Sequence, residues 1–267
     1  MIIIGEKING TIPSTCEAIT ERNRSYIADM ALKQSEAGAT YIDVCASTSP
    51  ETEVETLKWL IEIVQEITET PICVDSPSAQ AIKEALCFVN KPGLINSVSL
   101  EGNKVETIFP LIADTKWECV ALLCDNKGIP SSVERRLEIA WEIIKRAGEY
   151  GISPDRLHID PLVMALSTDG ASMTKFMDCC REIKGRHPEI HITSGLSNIS
   201  FGLPVRKTLN QAFLTLAMSV GMDCAIMDPL NRDMMAALLA TDALLERDKH
   251  CRKFTTAYRK GRIGPQK

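Results

Sequence analysis

Residues 71–86 read PICVDSPSAQAIKEAL. An apolar run, Ile72-Cys73-Val74, stops at Asp75, and a helical pattern follows from residue 78 to about 89. The run is short and rich in β-formers, and it carries no alternation. It therefore predicts a strand buried on both faces, as in a parallel sheet. The same unit recurs along the chain. Strand-like runs fall at Ile2–Ile4, Tyr41–Val44, Leu94–Asn96, Cys119–Leu123, Leu157–Ile159, His191–Thr193 and Cys224–Met227. Between them, Val54, Leu57, Ile61 and Val64 recur at helical spacing, as do Leu137, Trp141, Ile144 and Gly148. Further helical patterns lie near 25–37, 103–113, 173–186, 207–220 and 232–246. Ser131-Ser132-Val133-Glu134, just after Pro130, reads as a capping box. Gly38, Gly151 and Gly221 stand where helices stop.

Eight strand–helix repeats with short connections predict a single (βα)8 TIM barrel over residues 1–246. An open doubly wound sheet is the alternative. It lacks a Gly-x-Gly-x-x-Gly turn after the first strand, where Gly5-Glu6-Lys7-Ile8-Asn9-Gly10 stands instead. Past residue 246 the chain becomes basic: residues 247–267 carry eight Lys/Arg and one Asp. That composition suggests a solvated, partly frayed tail, or a docking strip for an acidic partner.

The chain has 267 residues, 45% hydrophobic, with a net charge of −5, so no general nucleic-acid footprint is expected. No apolar run approaches the ~18 residues of a membrane span. The opening MIIIGEKING has neither a basic n-region nor an h-region of secretory length. Ten cysteines lie mostly inside apolar runs without metal-type spacing. Four histidines show no ligand spacing either, and no metal is expected. A cytoplasmic protein is the expectation.

In a barrel, chemistry gathers where strands end. Polar residues stand there at Glu6 and Asn9, Asp43, Asp75, Asn96, Asp125 and Asn126, Asp160, Ser197 and Asn198, and Asp228. Turn and cap preferences alone could place any one of them. Proline narrows the choice. Asp160-Pro161 and Asp228-Pro229 put an Asp before Pro, which holds it extended. Asp75 closes a run too buried to tolerate a lone charge. No Lys or Arg adjoins these acids in sequence. An uncharged ligand rich in N–H donors would satisfy them. The amino group and adjacent ring N–H of a pterin match one carboxylate through two parallel bonds, and an amide such as Asn96 serves the ring carbonyl.

With these residues in place, the sequence resembles the pterin-binding methyltransferases that exchange methyl groups between methyltetrahydrofolate and a corrinoid. It is most similar to the methyltetrahydrofolate:corrinoid/iron-sulfur protein methyltransferases. The resemblance rests on IIGEKING at the start, CVDS (73–76), INS (95–97), DNKGIP (125–130), IDPL (159–162) and GLSNIS (195–200). It implies a homodimeric barrel with pterin contacts from Asp75, Asn96 and Asp160, beside Gly195 and Ser197. Asn198 is implied as the catalytic residue near N5. Glu6, Asp43, Asn126 and Asp228 are further candidates, and Arg206-Lys207 could meet the glutamate tail of folate. The cobalamin would be carried by a separate corrinoid protein. Cys45, Ser47, Phe201 and Gly202 depart from the family pattern, which bears on one amide contact and on the corrinoid-facing rim. Dihydropteroate synthase is the nearest rival, but an Arg-x-His element should end its last strand, where this chain has Ala225-Ile226-Met227-Asp228. A non-catalytic pterin-binding subunit could dispense with Asn198.

Overall fold

The strands are β1 (Ile2–Asn9), β2 (Tyr41–Cys45), β3 (Ile72–Asp75), β4 (Leu94–Leu100), β5 (Glu118–Asp125), β6 (Leu157–Asp160), β7 (His191–Ile192) and β8 (Cys224–Met227). A computed structural model describes residues 1–265 of the chain. All strands pair in parallel, in the order β7-β6-β5-β4-β3-β2-β1-β8. Between β7 and β8 the ladder is completed by a single parallel bridge, Gly195 to Ile226. Two further bonds cross the same seam: Ile226 N–H donates to Ser194 O (3.0 Å) and Asp223 N–H to Ile192 O (3.2 Å). The sheet is thus a nearly closed barrel, as the eight repeats predict.

Among the described residues ten α-helices surround it: α1 (Pro13–Thr20), α2 (Arg24–Ala37), α3 (Pro50–Ile67), α4 (Ala79–Ala85), α5 (Lys104–Ile112), α6 (Val133–Glu149), α7 (Ser172–Arg186), α8 (Arg206–Ser219), α9 (Arg232–Leu244) and α10 (Arg252–Arg259). Helix α3 shows why such segments form. Pro50 opens it and Glu51 and Glu53 occupy its first turn, favourable to the helix dipole. Leu57, Leu60, Ile61, Ile63 and Val64 line its buried face. Burial of each such side chain contributes about 1.5–3 kcal/mol. Helix α6 starts one residue later than the sequence suggests: Ser132 caps it by accepting from Arg135 N–H (3.2 Å), so no Ser–Glu capping box forms.

Two helices were not expected from the sequence. Helix α1 is short, and its sequence PSTCEAIT carries little amphipathic contrast. Helix α10 falls where a frayed tail was expected. Its Ala257 is buried, as is Ile263 just beyond it. Arg232 at the start of α9 fastens the segment by donating to the carbonyls of Gly261 and Gly264 (2.9 Å to the latter). Residues 247–265 therefore pack on the barrel; Gln266 and Lys267 lie outside the described residues.

Most of the core lies between sheet and helices. A smaller cluster, Ile4, Tyr41, Cys73, Leu94, Val120 and Cys224, fills the barrel's inside. Its N-terminal end is closed by polar contacts. His158, wholly buried, meets Glu118 (2.6 Å) and stacks on His191 at 4.8 Å. His191 in turn meets Asp223 (3.2 Å), which also binds Lys184 (2.8 Å). These two histidines are floor residues on the face opposite the expected site.

Candidate functional site

Side chains alternate along a strand, so a residue two positions after an inward-facing one also faces inward. Ile4, Tyr41, Cys73, Leu94 and Ile226 belong to the barrel interior. Two residues on from them stand Glu6, Asp43, Asp75, Asn96 and Asp228. The same step from His158 leads to Asp160, the last residue of β6. Strand register brings them level: Cys45 pairs with Asp75 and Asp75 with Asn96, while Leu122 pairs with Asp160. Asp43 pairs with Cys73, one layer deeper. The C-terminal mouth is therefore lined by acids and one amide.

Burial governs their acidity. Asp160 is 5% exposed and its carboxyl is raised to about 7 by loss of solvation. The backbone N–H of Leu162 (2.8 Å), the nearby Arg136 and the N–H of Gly195 offset only part of that cost. Asp75 is raised to about 6, again by burial, despite the neighbouring Cys45 thiol. Asp43, 1% exposed, is raised well above the ordinary range by burial and then by the charge of Asp75. Cys73 and Asn96 face its carboxyl, yet its Oδ1 is buried with no hydrogen-bond partner. Glu6 is raised to about 7 by burial and by Asp228, with Lys7 and Arg206 acting the other way. Such orphaned acceptors are costly in an empty cavity and point to a donor-bearing ligand.

Arg136 holds the Asp160 corner from outside. It is 1% exposed, and its guanidinium donates to the carbonyls of Pro130 (3.0 Å), Pro161 (3.0 Å) and Leu162 (2.7 Å). It spends its donors on backbone and leaves the Asp160 carboxylate free of a salt bridge.

The stretch after β7 forms a short 3-10 turn, Leu196–Ser200. Gly195 opens it and joins the two halves of the site, because its N–H points at Asp160. Without a Cβ it also leaves room for Asn198, whose Nδ2 lies 3.3 Å from where that atom would stand. Asn198 is exposed inside the turn and caps no helix: α8 begins at Arg206, after Val205. Arg206 folds back on this turn, donating to Ser197 O (2.9 Å) and Ser200 Oγ (3.1 Å). It braces the turn, and only Lys207 of the expected pair remains for a substrate tail.

Other candidates fare differently. Asp228 lies one residue beyond β8, accepts from Leu230 N–H (2.8 Å) and pairs with Lys7 at 3.7 Å. The lack of a cation beside it in sequence does not carry over to space. Asn126 ties two loops together by accepting from Gly102 N–H (2.8 Å), and Asp125 is held by Arg135 (2.7 Å). Asn9 turns on itself, accepting from Thr11 N–H (2.9 Å). Cys45 Sγ lies 3.2 Å from Ser47 Oγ, so these two departures from the family pattern form a polar pair beside Asp75.

Two participants are invisible to sequence reasoning. Lys7 should face away from Glu6, but a register shift between Gly5 and Ile8 breaks the alternation and brings it to Asp228. Glu53, on the first turn of α3, is 7% exposed and accepts from Ser76 Oγ (2.6 Å) behind Asp75. Only a long-range contact reveals it. Among the described residues no group of His, Cys, Asp and Glu is arranged to hold a metal ion.

A family model described as "Pterin binding enzyme" matches residues 5–228. The chain belongs to the pterin-binding enzyme family. It is 55% identical to the methylcorrinoid:tetrahydrofolate methyltransferase of Eubacterium limosum, over 99% of this chain and 98% of that one. It is 30% identical, over 87% of its own length, to methionine synthase of Mycobacterium leprae, of which the match covers 21%. Among solved structures, dihydropteroate synthase of Xanthomonas albilineans in complex with 7,8-dihydropteroate superposes with a TM-score of 0.64 over 92% of both chains. Its sequence identity is 21%, so this likeness speaks for the barrel fold alone. No helix among the described residues is long and apolar enough to cross a membrane.

Proposed function

We propose that this pterin-binding enzyme transfers a methyl group between N5 of tetrahydrofolate and the cobalt of a corrinoid carried by a separate protein. The observation that carries the reading is a mouth lined by buried Asp160 and half-buried Asp75 and Asn96, none of them in a salt bridge, with one exposed amide, Asn198, at its rim. The 55% identity to a methylcorrinoid:tetrahydrofolate methyltransferase supports the direction from methylcorrinoid to folate.

In this reading Asp160 and Asp75 accept from the amino and ring N–H groups of the pterin, and Asn96 answers the ring carbonyl. Asp43 sits beneath and, kept protonated, supports Asp75 and Asn96. Gly195 N–H steadies Asp160 while Asn198 reaches N5. The corrinoid supplies a methyl group on cobalt, or in the reverse direction a strongly nucleophilic cobalt. Nitrogen N5 must be presented in line with that methyl group. Asn198 orients its lone pair in one direction and stabilises charge building on it in the other. An in-line displacement needs an open face, and Phe201 (69% exposed) and Val205 (71%) lie there. We place the corrinoid protein's contact at this apolar rim. Homodimerisation and a cytoplasmic location belong to the same proposal; all ten cysteines are free thiols.

The decisive assay mixes purified protein, methylcobalamin and tetrahydrofolate, and follows the cob(I)alamin spectrum. The expected result is protein-dependent cob(I)alamin and stoichiometric methyltetrahydrofolate. Formation of neither product would overturn the reaction. A dihydropteroate synthase activity is disfavoured because β8 ends in Ala225-Ile226-Met227-Asp228.

A pH dependence follows from the raised acids. Asp160 and Asp75 hold protons near pH 7 and 6 because burial penalises their charge. Ligand N–H donors favour the ionised form and pull these values down. Binding at about pH 6.5 therefore releases protons, and affinity rises as pH increases from 6 to 8. Calorimetry in buffers of unlike ionisation enthalpy measures the count; net proton uptake would contradict the assignment.

A further inference from the structure

The barrel interior collects acids for an uncharged ring, but a folate also carries carboxylates. Two adjoining concavities lead away from the mouth. The first, ≈ 670 Å³, has Asp228 of the mouth in its wall together with Lys207, Arg232 and Asp233, and it ends at Gly264 and Pro265 of the C-terminal segment. Its two acids do not dominate it, since Asp228 is already paired with Lys7 (3.7 Å). The second, ≈ 600 Å³, shares Leu230 and Arg232 with the first. Its floor is apolar, with Met235, Leu239 and Ile263, while Arg252, Lys253, Lys260 and Arg262 line its sides. No carboxylate lines it among the described residues. Among the described residues none of these four cations makes a salt bridge, and the nearest carboxylate influence is that of Asp248 on Lys253. Helix α10 and the segment after it are packed in place by Ala257, Ile263 and the bonds from Arg232. The cations are therefore held around a fixed groove, not scattered on a loose tail.

We infer that this groove is a subsite for the oligo-γ-glutamyl tail of a reduced folate, running from Lys207 beside the mouth to Lys253, Lys260 and Arg262. The inference rests on the proposed folate substrate and extends it to the polyglutamylated form. Charge complementarity selects the occupant. Successive γ-linked glutamates present one carboxylate per unit with methylene stems between them, matching unpaired cations over an apolar floor. The arrangement also separates functions: the acids of the mouth read a neutral ring, and the cations read the anionic tail beyond the reacting atom. Tail contacts of this kind strengthen ground state and transition state alike, so they act on KM more than on kcat.

The test compares tetrahydrofolate monoglutamate with the triglutamate, by calorimetric binding to the full chain and by methyl transfer from methylcobalamin. Triglutamate is expected to bind about tenfold more tightly at low ionic strength, the sum of several partly exposed ion pairs. That advantage should shrink toward unity in about 0.5 M salt. The double variant Lys260→Ala/Arg262→Ala should reduce the triglutamate-to-monoglutamate affinity ratio to about twofold or less. Removal of two cations elsewhere, Lys145→Ala/Arg181→Ala, should leave the ratio as it was. Both residues lie on outer faces of α6 and α7 and make only local pairs, with Glu149 and Asp178. Thermal unfolding of each variant checks that it folds. Equal affinity for the two folates, or a ratio untouched by the groove variant, overturns the subsite even where methyl transfer proceeds normally. A ratio that falls as predicted in protein lacking methyl transfer supports the subsite and overturns only the reaction.

Discussion

Asn198→Ala is expected to lower the methyl-transfer rate by about 10²–10³-fold, the loss that accompanies removal of one hydrogen bond made chiefly in a transition state. Tetrahydrofolate affinity should stay within about threefold, because the ring is gripped elsewhere. The asymmetry comes from position. Asn198 is exposed at the rim, in a 3-10 turn braced by Arg206, whereas the recognition acids lie deeper in the barrel. Its Nδ2 stands over Gly195, whose own N–H is given to Asp160. Single-turnover kinetics with methylcobalamin, beside equilibrium binding of tetrahydrofolate, separates the two effects. A variant whose binding and rate fall together would place Asn198 among the ring contacts and remove it from catalysis.

Asp160→Asn should do the reverse. The asparagine preserves shape but replaces one acceptor oxygen with an N–H₂ donor, which would face the donors of the pterin. Loss of a charge-assisted hydrogen bond costs about 1.5–3 kcal/mol, or roughly 10- to 150-fold in the dissociation constant. Once the site is saturated, the rate should change little. The substitution also carries a favourable component. It removes a carboxyl whose burial, at 5% exposure, raises it to about 7, so the unliganded variant should be at least as stable as the parent at pH 8. Wild-type affinity in this variant would mean that Asp160 serves the Asp-Pro-Leu turn, where it accepts from Leu162 N–H, and not the ligand.

The eight-fold repeat was legible because each β-strand is apolar on both faces and each helix carries a periodic stripe, so local pattern and global topology agree. The ends of the apolar runs at Asp75 and Asn96, with proline after Asp160, mark three acceptors at strand ends in the sequence itself. The six ordered motifs then point to the family that the comparisons identify. Helices α1 and α10 were not read from the sequence: α1 is short with weak amphipathic contrast, and the basic composition around α10 masked its periodic face. Fasteners such as Arg232 on Gly264, 32 residues away, leave no local trace.

The sequence by itself determined the barrel, the place of Asp75, Asn96 and Asp160 at strand ends, and the family. Period and composition are properties of short segments and survive without knowledge of neighbours. Only the tertiary structure decided which charges meet. A register shift in β1 sends Lys7 to Asp228, Arg206 folds onto Ser197, and the cations of the C-terminal segment converge on one groove. Coulombic attraction and desolvation depend on distance and burial between residues far apart in the chain, and closure of the barrel sets both.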